Sequence, residues 1–219
     1  MEYPHPPHLT WSPNRKSDKE DRILETEDCF IGKEVVYLEK LDGENTVMSL
    51  DRVHARSVDS PSTKWRTLVS TMYGMIKHSI PRSMYIYGEN MYATHSIEYG
   101  GLPSAFFVFA VLDHKEWFSW GDTVEVAKHF GFDTVPTIYK NSKKLEKHPI
   151  PIESEFGGAC EGYVVRNKEA FSNKFFSDNI AKCVRHDHVQ TDEIWYKSWT
   201  KANFTDDPIE RVCRIQSEE

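Results

Sequence analysis

Lys40-Leu41-Asp42-Gly43-Glu44-Asn45 is the segment that most narrows what this chain can become. It follows Val35-Val36-Tyr37-Leu38-Glu39, an apolar run that reads as a buried strand. A lysine two residues ahead of Asp-Gly, at the end of such a strand, is a candidate for a covalently nucleotidylated nucleophile. Its amine must be partly neutral to attack phosphorus, and burial or nearby cations lower a lysine pKa. The Asp42-Gly43 pair also reads as a turn, which would fold residues 46–51 back onto the first strand as a hairpin.

The rest of the chain alternates short strands with a few helices. Residues 52–57 continue as strand. Residues 65–78 carry Trp65, Leu68, Val69, Met72, Tyr73 and Ile76 at a helical period, and Pro81 closes that unit. Residues 84–87 and 105–112 read as strands. Residues 120–130 read as a helix with Val124, Val126, Ala127 and Phe130 as its apolar set, ended by Gly131. Residues 135–139 form a short strand, and the polar, proline-containing 141–158 is expected as helix and loop. Residues 161–166 and 180–185 are the last strands. Pro6-Pro7 and Pro13 keep residues 3–13 extended. The expected class is α+β, with mainly antiparallel sheets flanked by helices.

With 219 residues, the chain supports one substantial domain. It divides into a core, an extended N-terminal segment over 1–30 and a short C-terminal extension over 186–219. No apolar run is long enough to cross a membrane, and no leader pattern opens the chain. Cys29, Cys160, Cys183 and Cys213 show neither a disulfide framework nor zinc-like spacing, so reduced thiols in a cytoplasmic protein are expected. The net charge of −7 disfavours nonspecific polyanion binding. Yet no acid lies between Asp59 and Glu89, where Lys64, Arg66, Lys77 and Arg82 fall. Arg166, Lys168, Lys174, Lys182 and Arg185 form a second basic stretch. The two stretches are candidates for a shared basic face.

After Lys40-Leu41-Asp42-Gly43 come, in order, Tyr87-Gly88-Glu89, Phe107-Val108-Phe109, Glu161-Gly162-Tyr163-Val164-Val165-Arg166 and Ala181-Lys182-Cys183-Val184-Arg185. This series resembles the ordered motifs of the covalent nucleotidyltransferases, and within them the ATP-dependent RNA ligases. The resemblance runs from about Lys33 to Arg185. Tyr3-Pro4, Pro7-His8-Leu9 and residues 188–192 look like further segments of a bacterial-type branch. It implies a nucleotidyltransferase (ligase adenylation) fold reduced to the catalytic domain. The OB domain of DNA ligases and capping enzymes is expected to be missing, because too little chain follows Arg185.

The resemblance also implies roles. Lys40 would carry AMP as a phosphoramidate. Glu39 is similar to the residue that reads the adenine amine. Asp42 would meet the ribose or the metal's water shell and count among the metal ligands. Asn45 matches the RNA-ligase form of the motif, and Arg56 would contact substrate phosphate. Glu89 would hold ribose hydroxyls and Phe109 would stack on the base, with Leu41 and Val164 completing the pocket. Glu161 would bind Mg²⁺, with Mn²⁺ as the alternative, and Lys182 would hold the α-phosphate. Two positions depart from the pattern. Ala110 replaces an acid, whose role Asp113 could take, and Val184 stands where a second lysine is common, with Arg185 beyond it. His186 and His188 read as solvated loop residues. The implied activity joins RNA 5′-phosphate and 3′-hydroxyl ends using ATP, with an end-healing kinase or phosphatase as a candidate partner. DNA ligase, capping guanylyltransferase and a non-catalytic nucleotide- or RNA-end-binding module are the rivals.

Overall fold

The structure is a computed structural model describing residues 1–13, 22–57, 59, 63–186 and 199–216. Its elements are β1 (Val35–Glu39), β2 (Glu44–Ser49), β3 (Val53–Ala55), α1 (Thr67–Ile76), β4 (Tyr85–Asn90), β5 (Phe106–Asp113) and β6 (Glu116–Trp117). They continue with α2 (Trp120–His129), β7 (Asp133–Thr134), β8 (Thr137–Ile138), β9 (Gly162–Asn167), β10 (Phe171–Ser172), β11 (Ile180–Val184) and α3 (Pro208–Gln216). Two sheets result. One has the order β11-β9-β1-β8 and is antiparallel throughout. The other has the order β10-β6-β5-β4-β2-β3, with β7 added parallel to β5.

The layers follow from which strand faces are apolar. Met48, Ile86, Phe106, Val108 and Val111 form one face of the larger sheet, covered by Val69, Met72 and Ile76 of α1 and Ala127 of α2. Val212 of α3 joins the same cluster. The opposite face meets the smaller sheet through Val47, Tyr87, Ala110 and Leu112, with Leu38 and Phe107 in an adjoining cluster. The far side of the smaller sheet buries Val35, Tyr37, Tyr163, Val165, Ala181 and Cys183 against Leu9 and Phe30. Along β1 the alternation therefore turns Val36 and Leu38 toward the larger sheet and Val35 and Tyr37 away from it. Ser119 caps α2 by accepting the Asp122 N–H, and Gly131 ends it at φ +76°.

Three expectations do not hold. Residues 35–40 and 46–51 form no hairpin, because β1 and β2 belong to different sheets. The Asp-Gly link is instead a crossing between sheets. Leu41 is buried in it, and a Cβ on Gly43 would lie 2.6 Å from Met91 Sδ and 2.7 Å from Asn90 O. Gly43 thus answers to a close approach rather than to a turn. Residues 135–139 are not one strand either. Val135 donates its N–H to Val108 on one sheet, and Pro136 accepts the Glu39 N–H on the other, so this segment is a second crossing. Residues 141–158 contain no helix. The Tyr37 hydroxyl anchors them by donating to Glu146 O (2.8 Å) while accepting the Glu146 N–H (2.7 Å).

The remaining differences are in bounds. β4 runs to Asn90, which puts Glu89 on a strand, and the 65–78 helix is α only over Thr67–Ile76, flanked by 3-10 turns. Residues 1–9 are extended, as the prolines require, but the chain turns at Thr10–Trp11, where Ser12 donates to Leu9 O, and Asp28–Phe30 form a 3-10 turn. The N-terminal segment is also built in: Pro7 O accepts the Lys182 N–H and Leu9 donates to Lys182 O, adding an edge beside β11. No helix among the described residues is long and apolar enough to cross a membrane.

Gly162 opens β9 where β11 passes closest. A Cβ there would fall 2.1 Å from Cys183 O and 2.9 Å from Val184 Cα. Gly162→Ala is expected to cost about 1–3 kcal/mol of stability by overpacking. Urea unfolding reads this directly, and an unchanged midpoint would contradict the close packing of β9 on β11.

Candidate active site

Lys40 stands one residue past β1, on the side of Leu38 and Val36, and its N–H donates to Gly162 O at 3.0 Å. Its amine reaches Glu161 Oε1 at 2.5 Å, and Glu161 is fully buried while the lysine side chain is 23% exposed. The amine is thus the part of the pair that is exposed, with the carboxylate lying behind it. Glu89 comes from the other sheet, where β4 sets it opposite Asn45 of β2 and Phe107 of β5. The Gly43 N–H donates to its carboxylate. Gly88 makes room for this strand, because a Cβ there would lie 2.4 Å from the Phe106 ring.

The electrostatics are dominated by an excess of carboxylates. Burial pushes Glu89 up to about 8, with Lys40 opposing and Glu161 and Asp42 reinforcing the rise. Burial likewise pushes Glu161 up to about 7, against Lys40 and Lys182, which lower it. For Lys40, burial acts downward, but Glu161, Glu89 and Asp42 outweigh it and the net shift is upward. The lowered pKa expected of a nucleophilic lysine is thus not present in the protein alone. It requires added positive charge to offset the carboxylates.

Asp42 has a structural task. Its Oδ2 accepts from Ser96 N (2.8 Å), Ser96 Oγ (2.6 Å) and Ile97 N (2.9 Å), and its own N–H donates to the Tyr99 hydroxyl at 2.8 Å. Any metal contact from Asp42 must come from its other oxygen. Glu39 is buried on the Tyr163 side of the sheet, opposite Lys40 by strand alternation. Its Oε2 accepts the Glu155 N–H at 3.2 Å, while Oε1 is buried with no hydrogen-bond partner. Burial raises its pKa, opposed by Ser154 and the Glu155 N–H.

Val164 of β9 lies opposite both Leu38 and Lys182, so Lys182 shares the inward face with Lys40. Phe109 is half-buried between the two inter-sheet clusters. Arg56 donates from Nε to Tyr3 O at 3.4 Å. Asn45 Oδ1 is buried without a hydrogen-bond partner. Asp113 is not brought to this group: it sits at the β5–β6 turn with His114 and Ser83. Ala110 is fully buried in apolar surroundings, and Val184 donates its N–H to Ser12 Oγ. Arg185 donates its N–H to Glu161 O at 3.0 Å, tying the end of β11 to the start of β9. His186 is exposed; His188 and residues 189–192 lie outside the described residues.

Three residues of the two basic stretches are taken up by local contacts. Arg66 pairs with Glu44 at 2.6 Å, Lys168 pairs with Glu34, and Arg166 is buried beside Trp120 and Phe171. Sequence reasoning missed Ser96, Ile97 and Tyr99, which hold Asp42 from a loop with no motif of its own. It noted Tyr3-Pro4 but gave Tyr3 no role in the site, where its ring packs edge-on against Phe109 at 4.9 Å.

Against known proteins, a family model described as RNA ligase matches residues 33–184. The chain belongs to the RNA ligase family. No curated protein matches the sequence. Among solved structures, a ligand-free aspartate-to-alanine variant of Naegleria gruberi RNA ligase superposes with TM-score 0.50 at 16% identity, over 73% of this chain and 51% of that one. A lysine-to-alanine variant of the same ligase with ATP and Mn gives TM-score 0.48 at 16% identity, over 72% and 51%. The Naegleria ligase with PPi gives 0.49 at 18%, over 70% and 50%. The chain spans about half the length of these solved relatives, and the superposition at TM-score 0.50 shows a shared α+β fold.

The site fits a divalent cation and a nucleotide on physical grounds. Three carboxylates, Glu161, Glu89 and Asp42, act on one amine, and Asn45, opposite Glu89 in the sheet, carries a buried oxygen with no hydrogen-bond partner. Among the described residues no group of three or more His, Cys, Asp or Glu is arranged as a metal cage.

A carboxyl whose folded pKa lies above its ordinary 4.5 holds its proton longer in the fold. Stability from this source is complete below about pH 4.5 and declines as pH rises toward 8 for Glu89. Glu89→Gln is therefore expected to raise the melting temperature more at pH 8 than at pH 5. Thermal scans at both pH values decide it, and a gain confined to pH 5 would contradict the assignment.

Proposed function

We propose that this member of the RNA ligase family is an ATP-dependent RNA ligase domain that works through a lysyl-AMP intermediate. The observation that carries the reading is the Lys40–Glu161 pair, a reachable amine against a buried carboxylate, inside the matched family region. In step one the Lys40 amine attacks the α-phosphorus of ATP, the amine proton is lost and pyrophosphate leaves. In step two AMP moves to an RNA 5′-phosphate. In step three an RNA 3′-hydroxyl displaces AMP and the ends are joined.

Each residue has a task that fits its position. Glu161 holds Lys40 in the cleft and is the residue to bind Mg²⁺ or Mn²⁺. When bound, the metal supplies charge that offsets the carboxylates and the phosphate oxygens. Lys182 faces the α-phosphate as charge builds. Glu89 and Asn45 face the ribose, Phe109 and Val164 flank the base, Glu39 reads the adenine amine and Arg56 meets phosphate. Leu41 and Asp42 fix the lysine's approach, the latter through the Ser96–Ile97 anchor. Alignment and charge stabilisation carry such chemistry, so one pocket serves all three steps. RNA with 5′-phosphate and 3′-hydroxyl ends is the substrate, and a kinase or phosphatase that prepares ends is the fitting partner. A Naegleria gruberi RNA ligase variant was solved with ATP and Mn, a nucleotide and a divalent ion of the kind this reading calls for.

Purified protein incubated with Mg²⁺ and α-phosphate-labelled ATP, with labelled GTP in parallel, tests the first step. Wild type is expected to take covalent label from ATP alone, and Lys40→Ala none. Lys182→Ala is expected to slow labelling roughly 100-fold, the scale of losing one charge-stabilising donor. Label from GTP alone would move the reading to a capping enzyme. Absence of label on folded, AMP-free protein would overturn catalysis.

A further inference from the structure

The N-terminal segment crosses from one sheet to the other, and on its way it touches three of the residues assigned above to the nucleotide. The Tyr87 hydroxyl donates to Met1 O at 3.3 Å, which starts the segment on the larger sheet. Tyr3 O accepts Arg56 Nε, the Tyr3 ring lies against Phe109, and residues 7–9 grip the Lys182 backbone from both sides. Tyr3 is only 7% exposed. Its ring is fixed by edge-on or tilted contacts with Tyr87 (5.3 Å), Phe109 (4.9 Å), Trp117 (5.5 Å) and Phe176 (5.3 Å).

So much ring contact explains the burial of the phenyl group but not the choice of tyrosine. A buried phenol hydroxyl ordinarily finds a hydrogen-bond partner. The Tyr3 hydroxyl makes no hydrogen bond among the described residues and is not one of the fully buried unpaired polar atoms, so it is open to a ligand, and the charges of Arg166, Arg56 and Glu89 all act on it. Burial raises its pKa, so it stays a neutral O–H at any working pH. It is a rigidly held donor and acceptor beside the ring expected to stack on the base.

We propose that Tyr3 is a nucleoside-contacting residue, its hydroxyl hydrogen-bonding the polar edge of the base held by Phe109. This rests on the ligase reading and adds to it a contact from outside the matched 33–184 region. The segment's grip on Lys182 would place the phosphate-facing lysine and the base-facing tyrosine on one continuous strap.

Tyr3→Phe keeps the ring and removes only the hydroxyl, so it separates contact from packing. Binding is measured by calorimetry with α,β-methylene-ATP, which cannot transfer its AMP, and with inorganic tripolyphosphate, which has no nucleoside. The expected result is roughly three- to tenfold weaker nucleotide binding, the scale of one neutral hydrogen bond. Tripolyphosphate affinity and melting temperature should match wild type. Equal nucleotide affinity in the two proteins would overturn the proposal, as would parallel losses for both ligands with a lower melting temperature. Wild-type protein that binds tripolyphosphate but no nucleotide would overturn the ligase reading and this proposal together.

Discussion

One amine among three carboxylates, with Glu161 and Asp42 buried and Glu89 half-buried, is the interaction on which the site depends. Glu161 and Glu89 are forced into a low-dielectric cleft, and their pKa values rise to about 7 and about 8. Lys40 is the cation that makes this tolerable, and it is held protonated as a result. Such a cluster is costly as a stabilising device, because desolvation offsets much of the Coulomb gain. It is better suited to binding positive charge. In the proposed reading, cations arriving with the nucleotide take over the carboxylates and release Lys40 to lose its proton.

The fold brings these groups together from distant parts of the chain by making its crossings narrow. The 40–43 link carries the chain from one sheet to the other in a few residues, and Gly43 permits that passage against Met91 and Asn90. The same passage puts the Gly43 N–H on the Glu89 carboxylate, so backbone and site are tied by one contact. On the other side, Gly162 lets β11 close on β9, which sets Lys182 beside Val164 and Leu38. Strand alternation then decides what faces the cleft. Leu38, Val164 and Lys182 do; Tyr163 and Cys183 do not.

Much of this was legible in the residues. The apolar runs marked β1, β5, β9 and β11, and the helical period marked α1 and α2, because burial on one face leaves a periodic trace. The ordered motifs named Lys40, Glu89, Glu161 and Lys182, which the fold does gather. What failed was long-range. Asp-Gly is chemically a turn, and nothing local says that it crosses between sheets. Residues 135–139 read as a strand, yet Pro136 lacks an N–H and the segment divides between two sheets. The Asp42 anchor at Ser96 and Ile97 and the packing of Tyr3 on Phe109 leave no periodicity or motif to read.

The measurement that tests the account most directly is the ionisation of Lys40 itself. Its reactivity toward a small acylating reagent can be followed against pH by peptide mass spectrometry, without ligand and with Mg²⁺ and α,β-methylene-ATP. The account predicts a Lys40 pKa above that of an ordinary lysine in the protein alone. It predicts a clear downward shift once metal and nucleotide are bound. A Lys40 pKa that is already low without ligands, or that stays high when both are bound, would contradict the central claim that the carboxylate cluster gates the nucleophile.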